Sequence, residues 1–216
     1  VAMALDIGND ASKDSILIAD VADNPGSGAR GNTTWLLKAM HDAGARDLIL
    51  GPFFDPPLSA EARERGAGAT FRAQFNREEQ SEFSEAWEAD AEVVSLWDGI
   101  FVGRGGATAA GRRVDLGPTA VLRVGTVTVV VTSHRKQALD SGHFESFGVS
   151  VVDARTVIVK SRGHFRAGFA HIFPPARIFE ADLPGLSTPN MKNYPFERLP
   201  RPVFPLDPDA TWEPPT

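Results

Sequence analysis

Cysteine is absent from the 216 residues. That excludes disulfide frameworks, thiolate zinc sites and cysteine nucleophiles, and it fits a reducing compartment. No apolar run approaches the roughly 20 residues that a bilayer-spanning helix needs, and no charged-then-apolar leader precedes the first expected strand. Cytoplasmic residence is the expectation. Positive charge is not in excess either: 22 Lys and Arg against 28 Asp and Glu leave a net charge of −6, so there is no basic field for nucleic acid or for an anionic membrane. No initiator methionine opens the chain, which begins at Val1, and a fragment of a longer protein is expected. A G-x-S-x-G elbow is lacking, and Ser133 has His134 only as a sequence neighbour, which speaks against a serine hydrolase. The histidines are His41, His134, His143, His164 and His171, and no H-E-x-x-H pair occurs among them. His164 and His171 have no carboxylate between them, so no complete metal site is expected within this chain.

What is present reads as an α/β domain with a mixed sheet: a parallel strand-helix-strand start, then an antiparallel, hairpin-rich middle. The length suffices for one large domain or two small ones, with roughly 70% of the unfolded surface buried. After a short lead-in with a turn at Gly8, Asn9 and Asp10, residues 16–21 form an apolar, β-branched run that predicts a buried strand. Trp35, Leu36, Ala39 and Met40 give residues 32–43 a helical period. Gly44 suits the end of that helix, and residues 47–50 read as a second, parallel strand reached by a right-handed crossover. Asp55, Pro56 and Pro57 mark a helix start and Gly66 its end. Phe71, Ala73 and Phe75 alternate with Arg72 and Gln74, the pattern of a half-buried strand over residues 70–75.

Residues 77–92 are acidic, with Phe83 and Trp87 as anchors, and predict a solvated loop or surface face. Asp98 and Gly99 predict a hairpin between residues 93–97 and 100–102; Gly125 and Thr126 predict another between 120–124 and 127–132. Gly103, Gly105, Gly106 and Gly111 suggest a mobile connection rather than a phosphate cradle. A short helix over 144–147, a buried strand over 156–160 and a last strand over 177–181 follow. The domain is expected to span residues 1–194. The seven prolines between 195 and 215 make residues 195–216 an extended tail, pinned by Phe196, Val203, Phe204 and Trp212.

The glycine loop is the first candidate site. Gly26, Gly28 and Gly31 permit positive backbone angles, and Asn32, Thr33 or Thr34 can cap the following helix, whose free amides suit an anion. The same three glycines satisfy G-x-G-x-x-G, with Asp55 about twenty residues further on, as a dinucleotide site requires. Against that, Asp23, Asn24 and Pro25 separate the strand from the first glycine, and a carboxylate there repels a pyrophosphate. The second candidate is a pair of strand-end loops in which a histidine sits beside cations: His134 with Arg135 and Lys136, and His164 with Lys160, Arg162 and Arg166.

Five segments together carry a family resemblance: residues 22–40 (ADNPGSGARGNTTWLLKAM), 50–56 (LGPFFDP), 116–125 (LGPTAVLRVG), 129–137 (VVVTSHRKQ) and 159–170 (VKSRGHFRAGFA). In this order they resemble the C-terminal domain of the microcystinase C (MlrC) family of metallopeptidases. The resemblance implies a zinc-dependent hydrolase of the metallopeptidase type, the family's named activity being hydrolysis of linearised cyclic-peptide toxins, with the zinc ligands and catalytic carboxylate in an N-terminal domain that this chain lacks. It implies that this domain has the N-terminal domain and a peptide or amide substrate as partners, binds no metal or cofactor of its own, and is inactive alone. The segments 23–34 and 160–169, with Arg135, are then walls of a shared cleft. The candidates for substrate contact are Asp23, Asn24, Gly26, Gly28, Asn32, Thr33, Arg135, Lys160 and His164, with the amides of residues 28–33, Arg135 and Lys160 holding anionic or carbonyl groups. The acidic stretch 78–92 departs from the family pattern. A non-catalytic interaction domain, or a dinucleotide enzyme using Gly26, Gly28 and Gly31, are the alternatives.

Overall fold

The computed structural model describes residues 1–211. Six helices, α1 (Ala2–Asn9), α2 (Trp35–Asp42), α3 (Pro56–Arg65), α4 (Gly106–Ala109), α5 (Gly142–Glu145) and α6 (Phe165–Phe169), accompany ten strands. The strands are β1 (Ile16–Asp20), β2 (Leu48–Phe54), β3 (Thr70–Phe75), β4 (Trp87–Trp97), β5 (Ile100–Val102), β6 (Arg113–Asp115), β7 (Thr119–Val124), β8 (Val127–Thr132), β9 (Thr156–Val159) and β10 (Ile178–Ala181). Eight of them form one mixed sheet in the order β10-β1-β9-β2-β8-β7-β4-β3, while β5 and β6 pair separately. From β10 to β8 neighbours run parallel, and from β8 to β3 they run antiparallel.

The sheet is packed on both faces, and the two faces divide the strand residues by alternation. Ile16, Ile18, Leu48, Leu50, Val129 and Val131 join Leu37 and Met40 of α2 and Leu58 of α3 on one side. Leu17, Ala19, Ile49, Val130 and Val157 join Phe144, Phe165, Phe169 and Phe173 on the other. In β3 the alternation of exposed and buried residues follows the sequence pattern throughout. Asp55 caps α3 by accepting from Leu58 N at 3.0 Å, with proline in the first turn, as its sequence predicts.

Several expectations need correcting. Residues 2–9 of the lead-in are helical, with Ala4 and Ile7 buried. β1 and β2 are parallel, as expected, and β9, all four of its residues buried, lies between them. The acidic stretch takes the surface-face form of its expectation beyond Glu85: from Trp87 it is β4, with Glu88 and Asp90 outward opposite Gln74 and Arg72. Asp98 and Gly99 do not close a hairpin. Residues 93–97 pair with β7, whereas β5 pairs with β6, so the Asp-Gly turn carries the chain off the main sheet. Gly99 has φ +80°, and a Cβ there would lie 1.8 Å from the Gly117 carbonyl oxygen. The expected mobile glycine connection contains α4, and Gly105 and Gly106 pack against Gly168. Phe196 and Phe204 are 43% and 72% exposed and do not pin the tail; Trp212 lies outside the described residues. Among the described residues no helix is long and apolar enough to cross a membrane.

Candidate functional site

The parallel strands β1, β9, β2 and β8 all end at one edge of the sheet, and there the loops 21–34, 133–137 and 160–164 meet. In open α/β sheets this is the edge that receives ligands. Its interior is organised by Lys160, which follows β9 and is fully buried. The ammonium donates to Asp20 Oδ2 at 3.0 Å, Asp23 Oδ2 at 2.7 Å, the Thr33 carbonyl at 2.9 Å and Thr33 Oγ1 at 3.0 Å. Burial pulls its pKa down, but the two carboxylates outweigh that and hold it above its ordinary value. Asp23 accepts in addition from Gly31 N at 2.8 Å, Thr33 N at 2.7 Å and Thr33 Oγ1 at 2.9 Å.

The anion that the glycine loop is built to hold is therefore its own Asp23 carboxylate. The amides of Gly31 and Thr33 have no capacity left for a substrate or a pyrophosphate, and Lys160 has no free proton to offer one. Asp20 has the weaker position. Its burial, with the Asp23 charge adding to it, raises its pKa against the pull of Lys160, and its Oδ1 has no partner.

The remaining candidates divide between an outer rim and the interior. Asn24 is buried and turns inward, its Oδ1 accepting from Gly26 N at 2.9 Å and its own amide donating to Ser187 Oγ at 3.1 Å. Gly26 lies so close to Gln137 that a Cβ would come within 2.0 Å of Oε1, whereas Gly28, at φ +104°, faces open space. Asn32 is directed elsewhere, donating to Asn76 Oδ1 at 2.8 Å beside a separate cavity of about 200 Å³ that also touches Asp55. Arg135 is exposed, with Nη1 3.5 Å from the Gly28 carbonyl, and His164 lies 3.3 Å from Gln137 Nε2 through Nδ1. Arg135 and Lys136 border one groove of about 620 Å³, and Arg162, His164 and Gly26 border another of about 790 Å³. Among the described residues no carboxylate lies within 4.0 Å of Arg135, Lys136 or Arg162.

A family profile described as the MlrC C-terminus matches residues 18–198. The chain belongs to this family. Microcystinase C from Sphingomonas sp. is 26% identical over 154 residues, which is 71% of this chain and 29% of that protein. The crystal structure of a "putative metallopeptidase" from Mesorhizobium sp. BNC1 is similar with a TM-score of 0.79 and 27% identity, covering 98% of this chain and 41% of that one. The MlrC-type domain thus spans less than half the length of these relatives. All nine substrate-contact candidates fall within the matched span, as do Lys136, Gln137 and Arg162.

A metal named in a relative's activity must be tested against the groups available here. Among the described residues of this MlrC-type domain no group of three His, Asp or Glu side chains is placed to hold an ion. Asp20 and Asp23, both buried at this edge, are already joined through the Lys160 ammonium. The donor set does not fit a metal. At this edge sequence reading names Lys136 and Arg162 only as cations beside His134 and His164, and it does not single out Gln137. The signal for them was position after a strand end, which marks a loop without saying which of its side chains stay unpaired.

Proposed function

We propose that this domain forms one wall of the substrate cleft of a zinc-dependent, metallopeptidase-type hydrolase, with zinc and the catalytic carboxylate supplied by an N-terminal part of a longer protein. Membership of the MlrC C-terminus family and two relatives named as microcystinase and metallopeptidase support the hydrolase class. The observation that carries the cleft assignment is the set of cations at the carboxyl edge, Arg135, Lys136 and Arg162, unpaired beside two grooves. An unpaired, solvated cation needs no partner to be stable, but two beside one groove and a third beside the next favour carboxylate or carbonyl groups of a peptide. Lys160 and the amides of Gly31 and Thr33, already satisfied inside, set the shape of the wall and do not touch substrate. The domain's own residues bind and orient; they move no proton to or from the scissile bond.

The test compares this chain with the longer protein that contains it. Peptidase activity and bound zinc are expected only in the longer protein. In that protein, Arg135→Ala combined with Arg162→Ala should lower kcat/KM roughly tenfold or more, the worth of a charge-assisted hydrogen bond, at unchanged metal content. Unaltered kinetics in the double variant would remove the cleft assignment, and stoichiometric metal in the short chain would remove the division of labour.

A further inference from the structure

Phe54, at the end of β2, borders two spaces: the groove of Arg135 and Lys136, and the cavity of about 200 Å³ beside Asn32. The second has the opposite charge balance. Asp55, Glu78 and Glu79 line it, and no Lys, Arg or His does. Its three carboxylates are engaged to different degrees. Asp55 accepts one backbone amide on each oxygen, from Leu58 at 3.0 Å and from Asn76 at 2.7 Å. Glu79 is paired with Arg30, whose guanidinium also lies over the Phe54 ring, 5.3 Å from its centroid. Glu78 is exposed and, among the described residues, has no cation within 4.0 Å; its neighbour Arg77 is turned to Glu61. Burial, with the Glu78 charge adding to it, raises the Asp55 pKa against the pull of the two amides and Arg77. A cation in the cavity would offset that repulsion.

Surface carboxylates alone need no ligand, but Asn32 does. It is only 3% exposed, and counting protons fixes the orientation of its amide. Ser84 Oγ donates its one hydrogen to the Asn32 backbone carbonyl at 3.0 Å, so toward Asn76 Nδ2 it can only accept. Asn76 therefore presents Oδ1 to Asn32, whose Nδ2 donates to it at 2.8 Å and to Glu79 Oε2 at 3.2 Å. Both hydrogens of the Asn32 amide are in use. Its Oδ1 accepts nothing among the described residues, and it is not one of the atoms sealed in the interior without a partner, as Gln137 Oε1 and His143 Nε2 are. The opening it faces is the cavity that Asn32 lines. An amide oxygen so far withdrawn from bulk water calls for a donor there.

The spacing of the acceptors selects the kind of donor. Among the described residues no three Asp, Glu or His side chains converge closely enough to hold one ion, so a bare metal does not fit. A guanidinium carries five N–H groups around a flat plate with weakly hydrated faces, and it suits acceptors set apart between apolar walls. Phe54, Pro56 and Pro57 supply such walls. Arg30, lying over Phe54 with its edge on Glu79, shows the same mode of contact within the chain. We propose that this cavity takes an arginine side chain of a peptide substrate, its edge donating to Asn32 Oδ1 and Glu78 and its face lying against Phe54 and the two prolines. The assignment deepens the proposed function and rests on it for the peptide. It names the substrate class, a peptide with an arginine close to the carboxylate or carbonyl taken by the neighbouring groove, and it uses two glutamates of the acidic stretch that the cleft reading leaves idle.

N-acetyl-arginine amide, charged only at its guanidinium, is the simplest probe. Titrated into the full chain labelled with 15N, it should shift the Asn32 side-chain amide and the Asn76 backbone amide in a saturable way. The citrulline analogue, which keeps the shape without the charge, and the lysine analogue, which keeps the charge without the fork, should each bind roughly tenfold more weakly. Glu78→Gln alters an exposed side chain and should weaken the arginine probe by a similar factor, whereas Glu88→Gln, an equal change of charge on the outward face of β4, should not. The proposal is overturned by the absence of a saturable shift at these amides, by equal affinity for the citrulline or lysine analogue, or by Glu78→Gln binding like wild type. The titration needs neither zinc nor hydrolysis, so failure here leaves the cleft reading untouched, and failure of the cleft reading leaves the titration still able to report a guanidinium site.

Discussion

Lys160 has three protons and four oxygen neighbours, all supplied from within the protein, so replacing it leaves two buried carboxylates without a counter-charge. Lys160→Met should cost about 3–5 kcal/mol of stability, the usual consequence of removing one partner of a buried ion pair. The two carboxylates are not equivalent. Asp23 accepts four hydrogen bonds and spans the glycine loop, whereas Asp20 contributes one oxygen and leaves the other unmet. Asp23→Asn should therefore destabilise far more than Asp20→Asn, because an amide nitrogen placed at Gly31 or Thr33 would face a donor. Burial of Asp20 also gives its contribution a definite pH dependence. Because the Asp20 pKa is raised on folding, the folded state holds more proton than the unfolded state in the window above the ordinary carboxylate value. Wild-type stability referred to Asp20→Asn must then fall as pH rises through that window. Urea midpoints for both proteins from about pH 4 to pH 7 read this directly, and a difference independent of pH would contradict it.

At the scale of elements, Asp55 links two pieces of structure that are separate in sequence. Oδ1 caps α3 through Leu58 N, and Oδ2 accepts from Asn76 N, just after β3, at 2.7 Å. The capping half was legible, since Asp-Pro-Pro before a helical stretch has a local mechanism. The link to Asn76 was not, because Asn76 adopts a positive φ of 54° that no neighbouring residue announces. An asparagine at position 55 offers one acceptor where two are used, so Asp55→Asn should cost about 1–3 kcal/mol by chemical denaturation, and Asp55→Ala more. Neutral behaviour of Asp55→Asn would mean that the second acceptor is dispensable. The same contrast between local and distant causes explains the other outcomes. The period of β3, the hairpin at Gly125 and the end of α2 at Gly44 follow from side-chain spacing or glycine angles in one short window. The insertion of β9 between β1 and β2, and the diversion of the chain at Gly99, depend on partners far along the chain.

Taken as a whole, the molecule carries a net charge of −6, yet its carboxyl edge presents unpaired cations. Strand-end position was enough to locate Arg135 and His164 at that edge from sequence. It was not enough to separate them from Lys160, because burial is decided by the packing of β1, β9 and α2 rather than by the residues next to it. Asp115 and Glu180 also border these grooves, but they lie against His134 and Arg166, and Glu88 and Asp90 of β4 lie beside Arg72 across the strand pair. The edge is thus a local positive region on a negative protein, and its field acts on an approaching anion over about one Debye length, roughly 8–10 Å at ordinary salt. In the longer protein, kcat/KM for a substrate with a free carboxylate should fall as sodium chloride is raised, because attraction is screened. The slope should flatten in Arg135→Ala with Arg162→Ala, which removes the charges responsible, while a substrate with that carboxylate amidated should show little dependence in either protein. A salt response of equal steepness for both substrates would assign the attraction to charges outside this domain, and the rim would then be a solvated surface instead of a cleft wall.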